Sequence, residues 1–302
     1  MMSVAFIFPG QGAQVTGMGK DFYEQTETGR RVFDKASELL GFSMPELCFE
    51  PDERLDLTEY TQAAMVTTSI AMMKVLMEQQ GIAPDVAAGL SLGEYCALAA
   101  AGAMSEEDAI TAVRKRGILM QQAVPAGIGG MAAVLGMEAA AIEAVLEEIE
   151  DVQIANYNCP GQIVISGKKE AVELAGEKLK GAGAKRVIPL NVSGPFHSRM
   201  LAEAGRELGK ALEQVEIYPL KIPYVANVTA EYVTDEKEIK GLLERQVSSS
   251  VRWQQSVEAM VAAGVDTFVE IGPGKTLSGF MRKINRNVRT VNIEKVEDLE
   301  KI

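Results

Sequence analysis

Residues 86–102, VAAGLSLGEYCALAAAG, constrain the fold more than any other stretch. Val86 to Leu90 is a short apolar run that reads as a strand, and at Ser91 the chain turns into a helix of small residues that ends at Gly102. Gly89 and Gly93 flank the serine in the pattern G-x-S-x-G, where glycines on both sides allow a cramped strand-to-helix turn that pushes the serine oxygen outwards. A strand feeding a helix this abruptly belongs in an α/β protein. Composition agrees: 47% of residues are hydrophobic, 6% aromatic, and 28 are glycine, which suits Val/Ile/Ala/Gly-rich strands and helices better than disorder. The 302 residues suffice for one large domain or a domain with an insert.

Val4 to Phe8 reads as a strand closed by the turn Pro9-Gly10-Gln11-Gly12. The spacing of Ala64, Thr67, Ala71, Val75 and Met77 predicts a helix from about Tyr60 to Gln80, stopped by Gly81. Ser105 with Asp108 resembles a capping box for a helix running to about Val124. From Gly130 the rhythm changes to strand Met131 to Gly136, helix Glu138 to Glu150, strand Val152 to Tyr157, strand Gln162 to Ser166, helix Lys169 to Ala182 and strand Lys185 to Leu190. That βαββαβ order is ferredoxin-like, and it reads as an insert in a larger α/β domain that resumes near Ser193. Helix Ser198 to Gln214, strand Ile222 to Val225, helix Trp253 to Ala263 and strand Thr267 to Ile271 follow. The loop Gly272-Pro273-Gly274-Lys275 resembles the tail of a P-loop, but the required first glycine falls at Val269. Its helix start either meets a phosphate or simply closes the turn.

A serine hydroxyl is a weak nucleophile at neutral pH and needs a base, most often histidine. The chain has one histidine, His197, in the turn Ser193-Gly194-Pro195-Phe196-His197-Ser198. If Ser91 has a histidine base, it is His197; on its own, the residue reads more readily as a surface or capping histidine, and the elbow is what favours the catalytic role. Arg116 occupies the i+7 place on the apolar stripe Ala109, Ala112, Val113 and Met120. An inward guanidinium calls for an anion, unless it snorkels to solvent or pairs with a structural carboxylate.

The net charge of −12 repels phosphate backbones and anionic lipid, so neither nucleic acid nor a membrane is an expected partner. Cys48, Cys96 and Cys159 are widely spaced without a C-x-x-C pair, which suggests neither a disulfide framework nor a metal site and suits a reducing cytoplasm. The start of the chain lacks a basic region before its apolar run, and no run of about 18 apolar residues is present to span a bilayer.

PGQGAQ at 9–14, GLSLGEY at 89–95, RKRGILMQQA at 114–123, NYNCPGQIVISG at 156–167, GPFHS at 194–198 and EIGPGK at 270–275 together resemble the malonyl-CoA:acyl carrier protein transacylases, the loading enzymes of bacterial type II fatty acid synthesis. The resemblance runs in order along nearly the whole chain. It implies a hydrolase-like α/β large domain with a parallel sheet, residues 1–128 and 193–302, and an inserted ferredoxin-like small domain, residues 129–192. It implies Ser91 as nucleophile, His197 as its base, the backbone N–H groups of Gln11 and Leu92 as oxyanion hole, Arg116 as holder of the malonyl carboxylate, and the Gln246 carbonyl as the group that orients the histidine. The reaction implied is a two-step transfer of malonyl from coenzyme A to Ser91 and on to the phosphopantetheine thiol of acyl carrier protein, with no cofactor and with the protein as a monomer. Leu90 stands where the family usually has histidine, while Phe196 and Leu92 resemble the malonyl-selective pattern. Acyl carrier proteins of this pathway are acidic, so docking calls for a local basic patch, for which Lys185, Arg186, Arg282, Lys283 and Arg286 are the candidates. A polyketide-pathway acyltransferase, a serine esterase or thioesterase with the same elbow, and a binding module without chemistry are the alternatives.

Overall fold

All five residues of Val4–Phe8 (β1) are buried, as expected of a strand covered on both faces of a parallel sheet. The structure, a computed structural model, describes residues 3–125, 127–192 and 194–302, so the expected return of the chain at Ser193 lies outside the described residues. After β1 come three helices not among the expected elements, Lys20–Gln25 (α1), Glu27–Leu40 (α2) and Met44–Phe49 (α3), and then Thr58–Gln80 (α4). Buried residues surround the axis of α4, from Thr61 to Met73, so it runs through the interior and ends at Gly81 in a left-handed C-cap. Val86–Gly89 (β2), Gly93–Ala100 (α5) and Glu106–Gln122 (α6) follow. The predicted cap of α6 is present: Ser105 Oγ accepts from the Asp108 N–H at 3.0 Å and donates to the Asp108 carboxylate at 2.7 Å.

The βαββαβ run is Gly129–Leu135 (β3), Ala139–Leu146 (α7), Val152–Cys159 (β4), Gln162–Lys168 (β5), Lys169–Gly181 (α8) and Arg186–Pro189 (β6). Its strands form one antiparallel sheet in the order β4-β5-β3-β6, with a core of its own built on Val134, Ile142, Ile165 and Leu179. Helix α7 ends four residues earlier than Glu150: past Leu146 the chain tightens into a turn in which the Ile149 N–H donates to the Leu146 carbonyl at 3.0 Å, and Ile149 still reaches the same core. The expected helix from Ser198 begins as a 3₁₀ turn, Arg199–Leu201, and becomes α-helical only over Ala202–Leu212 (α9). Tyr224–Val225 (β7), Tyr232–Val233 (β8), Ile239–Gln246 (α10), Trp253–Ala262 (α11), Thr267–Ile271 (β9), Thr276–Ile284 (α12) and Arg289–Ile293 (β10) follow, and a 3₁₀ segment, Val296–Lys301, comes last.

The second sheet has the order β10-β9-β1-β2-β7-β8, parallel except for the final β7-β8 pair. The chain is thus a mixed α/β fold with a parallel sheet flanked by helices. Strands β1 and β2 are adjacent, in register from Ala5 with Val86 to Phe8 with Gly89, so the Pro9 loop and Ser91 leave side by side. Strand β4 is tied to the segment before α11, where Tyr157 N–H donates to the Val251 carbonyl at 2.9 Å and Val251 N–H to that of Ala155 at 2.8 Å. Among the described residues, no helix is long and apolar enough to cross a membrane.

Candidate active site

Gly89 and Gly93 explain the elbow atom by atom. A Cβ on Gly89 would overlap the backbone carbonyl of Gly93, and one on Gly93 would lie 2.5 Å from the Phe8 carbonyl oxygen. The turn between β2 and α5 is therefore open only to glycine at both places, and it drives Ser91 to φ 56°. Four non-glycine residues among those described have positive φ, and two of them are Ser91 and His197, the latter at 57°. Such backbone costs of the order of 1–3 kcal/mol and persists only where the surroundings enforce it. For Ser91 the enforcing group is Asn227, whose Oδ1 accepts the Ser91 N–H at 2.7 Å while its Nδ2 donates to the Gly89 carbonyl at 2.6 Å.

His197 reaches Ser91 from the turn between β6 and the 3₁₀ segment Arg199–Leu201. Its Nε2 lies 2.8 Å from Ser91 Oγ, and its Nδ1 lies 2.9 Å from the Gln246 carbonyl oxygen. A carbonyl can only accept, so Nδ1 carries the proton and Nε2 presents its lone pair to the serine hydroxyl. Gln153 on β4 braces the backbone here, donating from Nε2 to the His197 carbonyl at 3.1 Å. Burial, and then the charge of Arg116, push the His197 pKa down to about 4, against weaker support from the backbone at Gln246 and Ser249. The imidazole is thus neutral at physiological pH and able to accept a proton.

Arg116 is 1% exposed, on the α6 stripe where the helical spacing places it. Gly117 allows this, because a Cβ there would come within 2.8 Å of backbone at Thr58 and Glu59 on α4. The guanidinium donates from Nη2 to Ser91 Oγ at 3.0 Å and to Gln246 Oε1 at 2.9 Å, and from Nη1 to Gln62 Oε1 at 2.7 Å. Each of its three acceptors is neutral. Its Nε is buried without a hydrogen-bond partner among the described residues.

Gln11 sits on the loop after β1, its side chain donating to Thr58 Oγ1 at 3.2 Å. Leu92 is the residue before α5, so its N–H points out of a helix N-terminus. Leu90 fills its place with an apolar side chain that packs on Gly10, where a Cβ would meet Leu90 Cδ2 at 2.7 Å. The Gly272-Gly274 turn closes the sheet instead of offering a phosphate site: the Glu270 carboxylate accepts the first N–H groups of α12, Leu277 and Ser278, at 2.8 Å each, and Glu294 accepts that of Gly274 at 3.0 Å. The basic candidates Lys185, Arg186, Arg282, Lys283 and Arg286 are all exposed, and none forms a salt bridge among the described residues. Two of them border the 159–162 turn: Lys185 lies over Gly136, whose N–H bonds the Gly161 carbonyl at 2.8 Å, and Gln162 Oε1 accepts from Lys283 Nζ at 3.2 Å.

Residues 5–297 match the family described as acyl transferase domain. The chain belongs to this acyltransferase family. It is 49% identical to the malonyl CoA-acyl carrier protein transacylase of Bacillus subtilis, with 99% of this chain and 96% of the relative aligned. The malonyl CoA-acyl carrier protein transacylase of Clostridium perfringens superposes with a TM-score of 0.96 at 45% identity, covering 99% of this chain and 95% of that one. A malonyl-transacylase solved with a type II PKS acyl-carrier protein superposes equally, TM-score 0.96, at 38% identity and coverage of 99% and 98%.

Three buried polar residues around Ser91 and Arg116 were not among the expected site residues. Gln62 is a lone amide inside the apolar α4, which was a signal available to reading. Glu94 stands three residues after the elbow serine, in a helix of small apolar residues, where a carboxylate is equally out of place. Asn227 lies in an irregular loop with no pattern to mark it. Glu94 is 1% exposed, and burial raises its pKa to about 7 against the bonds from Gln246 and Asn227 and the charge of Arg116.

Proposed function

We propose that the protein transfers malonyl from malonyl-CoA to the phosphopantetheine thiol of an acyl carrier protein through a malonyl ester on Ser91. The observation that carries this reading is the sharing of one oxygen: Ser91 Oγ donates to His197 Nε2 at 2.8 Å and accepts from Arg116 Nη2 at 3.0 Å. A nucleophile, a neutral base and a cation suited to a free carboxylate thus meet at one point. His197 takes the hydroxyl proton as Ser91 attacks the thioester carbonyl, the Gln246 carbonyl steadies the imidazolium that forms, and the proton passes to the departing coenzyme A thiolate. The tetrahedral oxyanion is received by the N–H groups of Gln11 and Leu92, a type of contact worth about 3–4 kcal/mol per donor. Once Ser91 is an ester its oxygen is a poor acceptor, and the Nη2–H that faced it turns to the malonyl carboxylate. In the second step the carrier thiol attacks the ester by the same route in reverse.

In this reading the parallel sheet and its helices, residues 1–128 and 193–302, are a hydrolase-like catalytic domain, and residues 129–192 are a ferredoxin-like domain that supplies the Gln153 brace. The exposed basic edge of Lys185, Arg186, Arg282, Lys283 and Arg286 receives the acidic carrier, in a chain of net charge −12. The enzyme works as a cytoplasmic monomer without metal or cofactor. Intact mass spectrometry after brief exposure to malonyl-CoA tests the proposal: the wild type gains one malonyl group, lost again on addition of holo carrier protein, and Ser91→Ala gains none. A malonyl adduct on any other side chain would overturn it.

A further inference from the structure

The Arg116 guanidinium is a buried cation with three neutral acceptors and no carboxylate in direct contact. A buried charge of this kind is costly unless an opposite charge compensates it nearby. The nearest carboxyl group is one side chain away. Gln246, fully buried, donates from Nε2 to the Glu94 carboxylate at 2.6 Å and to the Ser91 carbonyl at 2.9 Å, and accepts at Oε1 from Arg116 Nη2 at 2.9 Å. The second bond on the same carboxylate oxygen comes from the backbone N–H of Asn227, at 3.3 Å.

The chemistry of the partners dictates which way the Gln246 amide faces. Glu94 offers acceptor oxygens, so it draws the NH2 end. Arg116 offers only donors, so it requires the oxygen end. A flipped amide would turn donors on donors at the guanidinium. Glu94, Gln246 and Arg116 therefore form a carboxyl–amide–guanidinium relay in which the Glu94 acceptor oxygen and the guanidinium donors set the direction of the amide, and the amide in turn holds the guanidinium.

Resting on the transfer chemistry proposed above, we infer that Glu94 is a positioning residue for acyl selectivity: through Gln246 it holds Arg116 ready for the carboxylate of a dicarboxylic acyl group, without touching the substrate. The role is separable from holding His197, because the histidine is held by the backbone carbonyl of Gln246 and not by its side chain. It follows that loss of the relay is felt by malonyl and not by acetyl, which has no carboxylate for Arg116 to grip.

The test compares acyl-enzyme formation from malonyl-CoA and from acetyl-CoA, followed by intact mass over time, in Glu94→Gln and Glu94→Met. The two replacements are close in volume, but only glutamine keeps an acceptor for Gln246. Glu94→Met is expected to lower malonyl loading at least tenfold, mainly through a raised half-saturating concentration, and to leave acetyl loading within about threefold. Glu94→Gln retains malonyl loading within about threefold. In an Arg116→Ala background Glu94→Met changes nothing further, since residues acting through one contact are non-additive. Equal losses for both acyl groups, failure of glutamine to rescue, or additive losses in the double variant would each overturn the relay. If Glu94→Met does not fold, Gln246→Met in the same assay decides between the outcomes: it keeps the backbone carbonyl to His197 and must show the malonyl-selective loss. Absence of any malonyl adduct in the wild type would instead count against the transfer reading itself.

Discussion

The acid limb of the pH–rate profile is where the burial of His197 becomes measurable. Burial and the nearby Arg116 charge bring its pKa from 6.5 down to about 4. The second-order rate of Ser91 loading requires the neutral imidazole in the free enzyme. At pH 5 an ordinary histidine, pKa 6.5, is neutral in only about 3% of molecules, whereas one with a pKa of about 4 is neutral in about 90%, roughly a 30-fold difference. Loading from malonyl-CoA, quenched after short times and read by intact mass from pH 4 to pH 8, is expected to hold nearly level down to pH 5 and to fall to half near pH 4. Glu94, raised to about 7 by burial, titrates within that range, so the profile is repeated in Glu94→Gln, where the limb near pH 4 must remain. In Arg116→Ala the limb moves to higher pH, since the second cause of the depression has gone. A wild-type half-point near 6.5 would refute the argument, showing His197 to be solvated when it acts. Stability follows with a fixed sign. Because the folded pKa is depressed, the contribution of neutral His197, about 3 kcal/mol, is full above pH 6.5 and is lost as pH falls towards 4. Glu94, with a raised folded pKa, acts oppositely: its contribution is full below pH 4.5 and is lost as pH rises through about 7.

Arg116→Ala is expected to reduce kcat/KM for malonyl transfer by roughly 30- to several-thousand-fold, the cost of about 2–5 kcal/mol for one partner of a desolvated ion pair, and to reduce acetyl loading far less; equal falls in parallel mass time courses would assign the arginine to the fold. Gly89→Ala forces a Cβ onto the Gly93 carbonyl, so the melting temperature should drop by several degrees and loading with it, and a variant with unchanged melting would show that the elbow yields at little cost. Reversing Arg282 and Lys283 to glutamate should slow transfer to carrier protein and flatten its salt dependence while loading from malonyl-CoA stays unchanged; a loss of both half-reactions would count against docking at this edge.

Much of the site was legible because its residues obey local rules. G-x-S-x-G places Ser91 on a turn whose sterics involve only its own neighbours and the adjoining strand, and the α6 stripe turns Arg116 inward by helical periodicity alone. With a single histidine in the chain, the partner of Ser91 could be named by elimination. The βαββαβ order was readable because each strand and helix of it carries its own apolar period. What periodicity could not supply were α1 and α3, six residues each, where Phe22 and Leu47 are buried by packing on neighbouring helices; α2 carries a stripe of its own in Val32, Phe33, Ala36 and Leu40, and was legible in principle.

The remainder depended on residues far apart in sequence meeting in space. Gln62, Glu94, Asn227 and Gln246 are spread over 185 positions, yet they converge within hydrogen-bonding distance around one arginine and one serine. An isolated polar residue in a sequence carries no sign of its partner; only burial, by removing water, makes the pairing obligatory and therefore unique. The Gly272 loop shows the converse. Its sequence leaves a phosphate and a plain turn equally open, and the choice fell to Glu270 and Glu294, which reach those N–H groups only after β9, α12 and β10 have packed together. The sequence therefore determined which groups could do chemistry and which way local elements turned them. The tertiary structure decided their protonation, their orientation and their partners, because those depend on distance and dielectric, and neither exists before the chain is folded.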